Sequence, residues 1–234
     1  MIKIERAQTA PASLADRKSY KGSDVLEQLE NDFHGKCYLC ERNVGADFQV
    51  EHLRPKSGYP EKKYEWSNLF PACGCNQRRL KWKGRSELNA DGEETGFPLG
   101  GMLDPAQDEI EQLLYQAARL GTSVIDTFVD FSPVDPNNKA AANTAEELSW
   151  IHNGSGTGHF KRLREELRNH LAYVYRLVGL YLDALKNGDD VLRTTRKREL
   201  RPWLLPNAPF AGVVRGTLRK DYSDSPSSLE AFGL

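Results

Sequence analysis

Hydrophobic and polar positions alternate with two periods along the first third of the chain, and these periods predict its first elements. Apolar residues at spacings of three and four predict a helix over residues 23–35, with Ser23 as its cap. Residues 48–53 alternate between apolar and polar, which predicts a strand that ends near His52. We further predict a second short strand over residues 66–72 and a helix over residues 76–84.

The middle of the chain has a less regular pattern. Glycine and proline cluster in residues 91–105, which indicates a linker or an ordered loop. Residues 110–131 fit either a helix or a hairpin that turns at Gly121. The next predicted helix begins near Thr144, because Thr144 and Glu147 have the spacing of a capping box.

The longest predicted helix covers residues 159–188, and another follows to Arg201, where Pro202 ends it. These elements predict an α+β fold, with a small module in residues 1–90 and an acidic linker followed by a mainly helical region in residues 91–234. The apolar stripe of the longest helix consists of Leu163, Leu167, Leu171, Val174, Val178, Tyr181 and Leu185.

Composition indicates the class of protein and the cellular compartment. The chain has 234 residues, of which 39% are hydrophobic and 28% charged, as in ordinary globular proteins. Its first residues lack the apolar run of a secretory signal, and no segment has the length and apolar character of a membrane span. We therefore expect a cytoplasmic protein, where paired cysteines are more often metal ligands than disulfides.

Charge is segregated along the chain although the net charge is only −1. Residues 35–85 contain eleven lysines and arginines against five acidic residues, residues 86–149 are acidic, and residues 161–201 are basic again. Two basic blocks around an acidic one are typical of a nucleic-acid-binding protein whose middle shields it or binds a partner. Solvated helix faces would give the same pattern, so charge alone leaves both interpretations open.

All four cysteines lie in one segment, as a C-x-x-C pair at Cys37 and Cys40 and a C-x-C pair at Cys73 and Cys75. Two spaced pairs in one module favour a tetrahedral zinc site over four buried, small apolar side chains. Between the pairs, Glu51 and His52 end the predicted strand. Neighbouring side chains point to opposite sides of a strand, so one can hold a metal while the other reaches a substrate.

These motifs together resemble a known enzyme family. The series "CYLC", "VEHLRP", "WSNL" and "CGCNQRR" resembles the HNH, or ββα-metal, endonuclease module. With the opening "MIKIERAQTAPASL" and the segment "YEWSNLFPAC", it resembles the HNH nucleases of retron- and Septu-type antiphage defence systems, the PtuB-like proteins. The resemblance extends from the first residue to about Trp82 and continues through "FPLGGMLDP".

The resemblance implies roles for particular residues. It makes His52 the general base, Glu51 a ligand of a catalytic Mg²⁺ or Mn²⁺, Asn68 the residue that orients the loop carrying the base, and Asn76 a further metal contact. It also implies a structural Zn²⁺ at the four cysteines. The family usually has C-x-x-C before the asparagine, whereas this chain has C-x-C. Either Gly74 absorbs the backbone strain of the shorter knuckle, or the site is weaker or uses another ligand.

Three functions remain open at this point: an HNH endonuclease that cuts DNA in antiphage defence, an HNH nuclease that cuts RNA or tRNA, and a zinc ribbon that only binds nucleic acid. A binding ribbon would not need Glu51, His52 and Asn76 together. By resemblance we expect an ABC-type ATPase partner, PtuA-like, docked mainly through residues after about Pro105. The predicted phosphate contacts are Arg54, Lys56, Arg78, Arg79 and Lys81.

Overall fold

The first 75 residues build one helix and a two-stranded ribbon. A computed structural model describes residues 1–75, 82–123, 126–154, 158–224 and 232, without the side chain of His159. Helix α1 is Ser23–Asp32, and its cap is Gly22 rather than the predicted Ser23. Strands β1, Gln49–His52, and β2, Leu69–Ala72, pair antiparallel, with His52 opposite Leu69. Both predicted strands are therefore present, but most of the helix predicted over residues 76–84 lies outside the described residues.

Residues 86–98 form a hairpin, so part of the predicted linker is regular structure. Strand β3 is Ser86–Leu88 and strand β4 is Glu94–Pro98, and the two pair antiparallel. The Asn89 side chain accepts hydrogen bonds from the backbone N–H groups of Asp91 and Glu93, which closes the turn. The glycine and proline pattern predicted a linker or an ordered loop from residue 91 onwards, and that prediction was wrong for strand β4. The Asn89 bonds order the turn that precedes this strand.

The ambiguous residues 110–131 also form a hairpin. A single helical turn, α2, covers Ile110–Leu113, and strand β5, Leu114–Arg119, pairs antiparallel with strand β6, Phe128–Pro133. Gly121 lies in the connection between the strands, as the hairpin alternative predicted. Strand β5 has four buried positions out of six because it packs between β6 and the last helix of the chain.

Helix α3, Lys139–Asn153, begins five residues before Thr144, the first residue of the capping box that predicted its start. Asn138 is the actual cap, and its side chain accepts a hydrogen bond from the N–H of Ala141 at 3.0 Å. Thr144 and Glu147 are instead buried in the helix interior. The Thr144 hydroxyl donates to the Ala140 carbonyl at 2.8 Å, so the capping-box spacing was coincidental.

Three further helices follow in the described part of the chain. Helix α4, Gly158–Asn187, confirms the longest predicted helix, and α5 is Asp190–Leu200. Helix α6, Ala211–Asp221, was not predicted. Every member of the apolar stripe on α4 is buried except Leu185, which is 37% exposed. None of the described helices combines the length and the apolar character that crossing a membrane requires.

The described residues thus form an α+β protein with six helices and three small antiparallel sheets. A single buried cluster runs from the ribbon to the last helix and contains Leu29, Phe70, Leu114, Leu167 and Leu218. The division at residue 90 stays a prediction, and the core is continuous on both sides of it.

Candidate functional site

The four cysteine sulfurs converge in one buried cluster. Their Sγ atoms all lie within 4.8 Å of one another, and the distances Cys37–Cys75 and Cys40–Cys73 are both 3.6 Å. A tetrahedral zinc ion with Zn–S bonds of about 2.3 Å separates its sulfurs by about 3.8 Å. The cluster could therefore hold a metal ion such as zinc.

Backbone hydrogen bonds place both cysteine pairs against the ribbon. The knuckle closes through bonds from Glu41 N–H to the Cys37 carbonyl and from Cys37 N–H to the Arg42 carbonyl, both at 3.0 Å. Tyr38 N–H donates to the carbonyl of Pro71 in β2 at 2.9 Å. Because Cys73 directly follows β2, this bond sets the separation between the two pairs.

Gly74 does not have the strained conformation that one of the two alternatives for the shorter knuckle required. Its φ angle is not positive, whereas those of Gly35 and Gly45 are. A Cβ atom at Gly74 would meet nothing within 4 Å. The C-x-C turn therefore brings its two sulfurs together without a conformation that only glycine adopts readily.

Electrostatics favours a cation among the four sulfurs. Hydrogen bonding to the Cys37 sulfur, together with burial, raises the pKa of Cys40 and of Cys75 well above the ordinary thiol value. Four thiolates in a buried cluster would repel one another, so they can all ionise only with a compensating positive charge. Soft sulfur donors in this number suit zinc.

The side chains of Glu51 and His52 point to different sides of strand β1. His52 is buried at 6% exposure, and its Nε2 atom lies 3.0 Å from the Lys63 carbonyl oxygen. The ring of Tyr20 meets the His52 ring edge-on with centroids 4.8 Å apart. Glu51 is half-buried, and its carboxylate makes no hydrogen bond or ion pair with any residue in the described ranges.

Asn68 holds the loop that follows His52. Its Oδ1 accepts from the Arg54 N–H at 2.7 Å, and its Nδ2 donates to the carbonyls of Arg54 at 3.0 Å and Lys62 at 3.1 Å. The side chain is buried and makes three hydrogen bonds to backbone. It therefore holds both ends of the loop between β1 and Lys63.

The described side chains among the predicted nucleic-acid contacts already interact with other groups of the protein. Arg54 forms an ion pair with Glu87 at 3.1 Å and lies 4.5 Å from the ring centroid of Phe97. Lys56 instead donates to the Tyr20 hydroxyl at 2.5 Å. The remaining predicted residues, Asn76, Arg78, Arg79 and Lys81, lie outside the described residues.

Tyr20 and Lys63 are parts of this site that the sequence analysis missed. Tyr20 stands 32 positions before His52 in an irregular segment, so no periodicity or motif links the two. Lys63 takes part through its backbone carbonyl, which any residue type offers. No protein-family model matches the chain, and no curated protein matches it significantly.

Proposed function

We propose that this protein is a metal-dependent endonuclease of the HNH type that hydrolyses phosphodiester bonds, with DNA as its first expected substrate. One observation carries the proposal: the Glu51 carboxylate and the His52 imidazole lie at the end of strand β1. The four-cysteine cluster contacts the ribbon that β1 forms with β2, and Asn68 holds the loop that follows His52. A ribbon that only bound nucleic acid would have no need of a buried, oriented imidazole beside a half-buried carboxylate.

The hydrogen bond to Lys63 determines which His52 nitrogen could act as the base. A carbonyl oxygen only accepts, so Nε2 carries the proton and Nδ1 has the lone pair. Packing against Tyr20 holds the ring in this orientation. In this tautomer a neutral imidazole can accept a proton from an attacking water through Nδ1.

The two implied metals fit different residues. The four cysteines would hold a structural zinc ion, and the Glu51 carboxylate, together with Asn76, would hold Mg²⁺ or Mn²⁺. A hard divalent cation of this kind supplies charge stabilisation at the phosphate and the leaving oxygen. The half-buried Glu51, without a described partner, is the oxygen donor that such an ion prefers.

The biological role follows only from the resemblance, which suggests an antiphage defence effector that works with an ABC-type ATPase. Exposed apolar side chains on α4 and α5 support a docking surface after Pro105, because Leu180 is 38% and Val191 75% exposed. Size-exclusion chromatography of the co-expressed full-length pair tests this. Leu180→Glu should release the ATPase, whereas Leu88→Glu on β3 should not.

Substitution of His52 tests the proposed chemistry. We expect His52→Ala, and His52→Gln as a second variant that can still donate to the Lys63 carbonyl, to lose on the order of a hundredfold or more in cleavage rate. His34→Ala, at an exposed position, is the matched control. Plasmid DNA and total RNA are incubated with Mg²⁺ or Mn²⁺. Folded His52 variants that cut as fast as wild type would refute the assignment, and cleavage of RNA alone would establish the RNA alternative.

A further inference from the structure

Three lysines and two tyrosines form a cluster beside His52, and we call it the Tyr20 cradle. The rings of Tyr20 and Tyr64 are 6.3 Å apart. The ammonium groups of Lys21 and Lys56 lie 5.9 Å and 4.8 Å from the Tyr20 ring centroid, and that of Lys63 lies 4.9 Å from the Tyr64 centroid. The cluster joins three segments: the irregular N-terminal segment, the loop that follows strand β1, and the helical turn Pro60–Tyr64.

The cradle has an uncompensated positive charge. None of its three lysines forms an ion pair with a carboxylate in the described part of the chain. Neighbouring cations are paired, since Lys62 binds Glu65 at 3.1 Å and Arg54 binds Glu87 at the same distance. Ammonium groups that rest on aromatic rings and have no carboxylate partner keep their charge available to an anion. The arrangement therefore suits a polyanionic ligand.

We propose that the Tyr20 cradle binds a single strand of nucleic acid, with phosphates on the lysines and bases against the tyrosine rings. This inference rests on the proposed function, because it supplies the substrate strand to the same site. Lysines contact phosphates without reading sequence, and aromatic rings stack on any base. In a duplex the bases are paired and stacked on one another, so their faces are not available to Tyr20 and Tyr64.

The position of Tyr20 connects this binding to the chemistry. Its ring packs against His52 at 4.8 Å, and its hydroxyl accepts a hydrogen bond from Lys56. A base against Tyr20 would thus bring the adjoining phosphate close to the candidate general base. The N-terminal segment, which precedes the predicted nuclease ribbon in the chain, would contribute a substrate contact to it.

Fluorescence anisotropy with labelled oligonucleotides tests the proposal. Single-stranded DNA, single-stranded RNA and duplex DNA of one sequence are titrated with the full-length protein, without added Mg²⁺ or Mn²⁺, and gels verify that the oligonucleotides stay intact. We expect both single strands, or one of them, to bind more tightly than the duplex. Tyr20→Leu, which keeps apolar packing on His52, should weaken single-strand binding about tenfold. Tyr115→Leu, at a 40% exposed position on β5, should not.

The salt dependence gives a second measurement. Lys56→Gln should lower the slope of log K against log[salt] for a single strand by about 0.7, whereas Lys197→Gln on α5 should leave it unchanged. Wild-type affinity of Tyr20→Leu, or equal binding of duplex and single strands, would overturn the proposal. Binding that depends on Tyr20 in a protein that cuts nothing would instead refute the nuclease and keep the cradle.

Discussion

Replacing Asn68 with aspartate removes two hydrogen-bond donors without changing the size of the side chain. In the structure, Nδ2 donates to the carbonyls of Arg54 and Lys62, while Oδ1 accepts from the Arg54 N–H. The carboxylate of Asn68→Asp keeps the acceptor but places a second oxygen where both carbonyl oxygens lie. Because Lys62 precedes Lys63, whose carbonyl contacts His52, this change loosens the loop at the end nearest the imidazole.

The magnitude follows from these contacts. Each lost hydrogen bond contributes about 1 kcal/mol net, and a buried carbonyl left without a donor costs a further 1 kcal/mol or more. The Lys62 carbonyl still accepts from the Glu65 N–H at 3.2 Å, so the Arg54 carbonyl is the one left without a donor in the described part of the chain. Two lost hydrogen bonds and one such carbonyl predict a loss of about 3 kcal/mol in the free energy of unfolding. That is a large share of the roughly 5–15 kcal/mol that stabilises a domain.

Urea denaturation followed by circular dichroism measures this loss. Asn207→Asp is the matched control, because Asn207 is exposed and makes no side-chain hydrogen bond within the described ranges. It should change the free energy of unfolding by less than about 0.5 kcal/mol. We also expect folded Asn68→Asp to cleave more slowly than wild type. An Asn68→Asp protein as stable as the control would show that the three bonds do not hold the loop.

Three further predictions concern the metal cluster and the buried histidine. Freshly purified protein should contain one zinc per chain by metal analysis, and Cys75→Ser should lose it and unfold at lower urea; a zinc-free, fully stable wild type would contradict this. Gly74→Ala should change thermal stability little. Gly35→Ala should lower it, because Gly35 has a φ of +64° and its new Cβ atom would lie 3.3 Å from the Gly45 Cα. Equal effects of the two substitutions would refute our description of the C-x-C turn. Burial lowers the pKa of His152 in the folded protein to about 3. Between this pKa and the ordinary histidine pKa of the unfolded chain, only the unfolded chain binds the extra proton. The free energy of unfolding therefore falls as pH falls through this range. From pH 6.5 to pH 5 this single group should remove about 2 kcal/mol, and His152→Phe should lose less stability over the same interval in urea titrations.

Much of the fold was predictable because its signals are local. The α4 stripe repeats every three or four residues, and its burial confirms the helix that this spacing predicted. Strand β1 likewise shows alternation that ends at His52. The predicted start of α3 was wrong, because the spacing of Thr144 and Glu147 matches a capping box although tertiary packing buries both inside the helix. Residues 110–131 stayed ambiguous, since pairing between β5 and β6 and packing against α6 are not local properties.

The sequence by itself determined which chemistry the chain contains: four sulfurs in one segment, a carboxylate beside an imidazole, and an asparagine downstream. Only the tertiary structure decided how these groups meet. It brought the four sulfurs together through a backbone bond between Tyr38 and Pro71, and it placed Tyr20 on His52 across 32 positions. Residue types carry ligand and proton chemistry wherever they stand, whereas contacts between distant segments depend on which surfaces the folded core buries together.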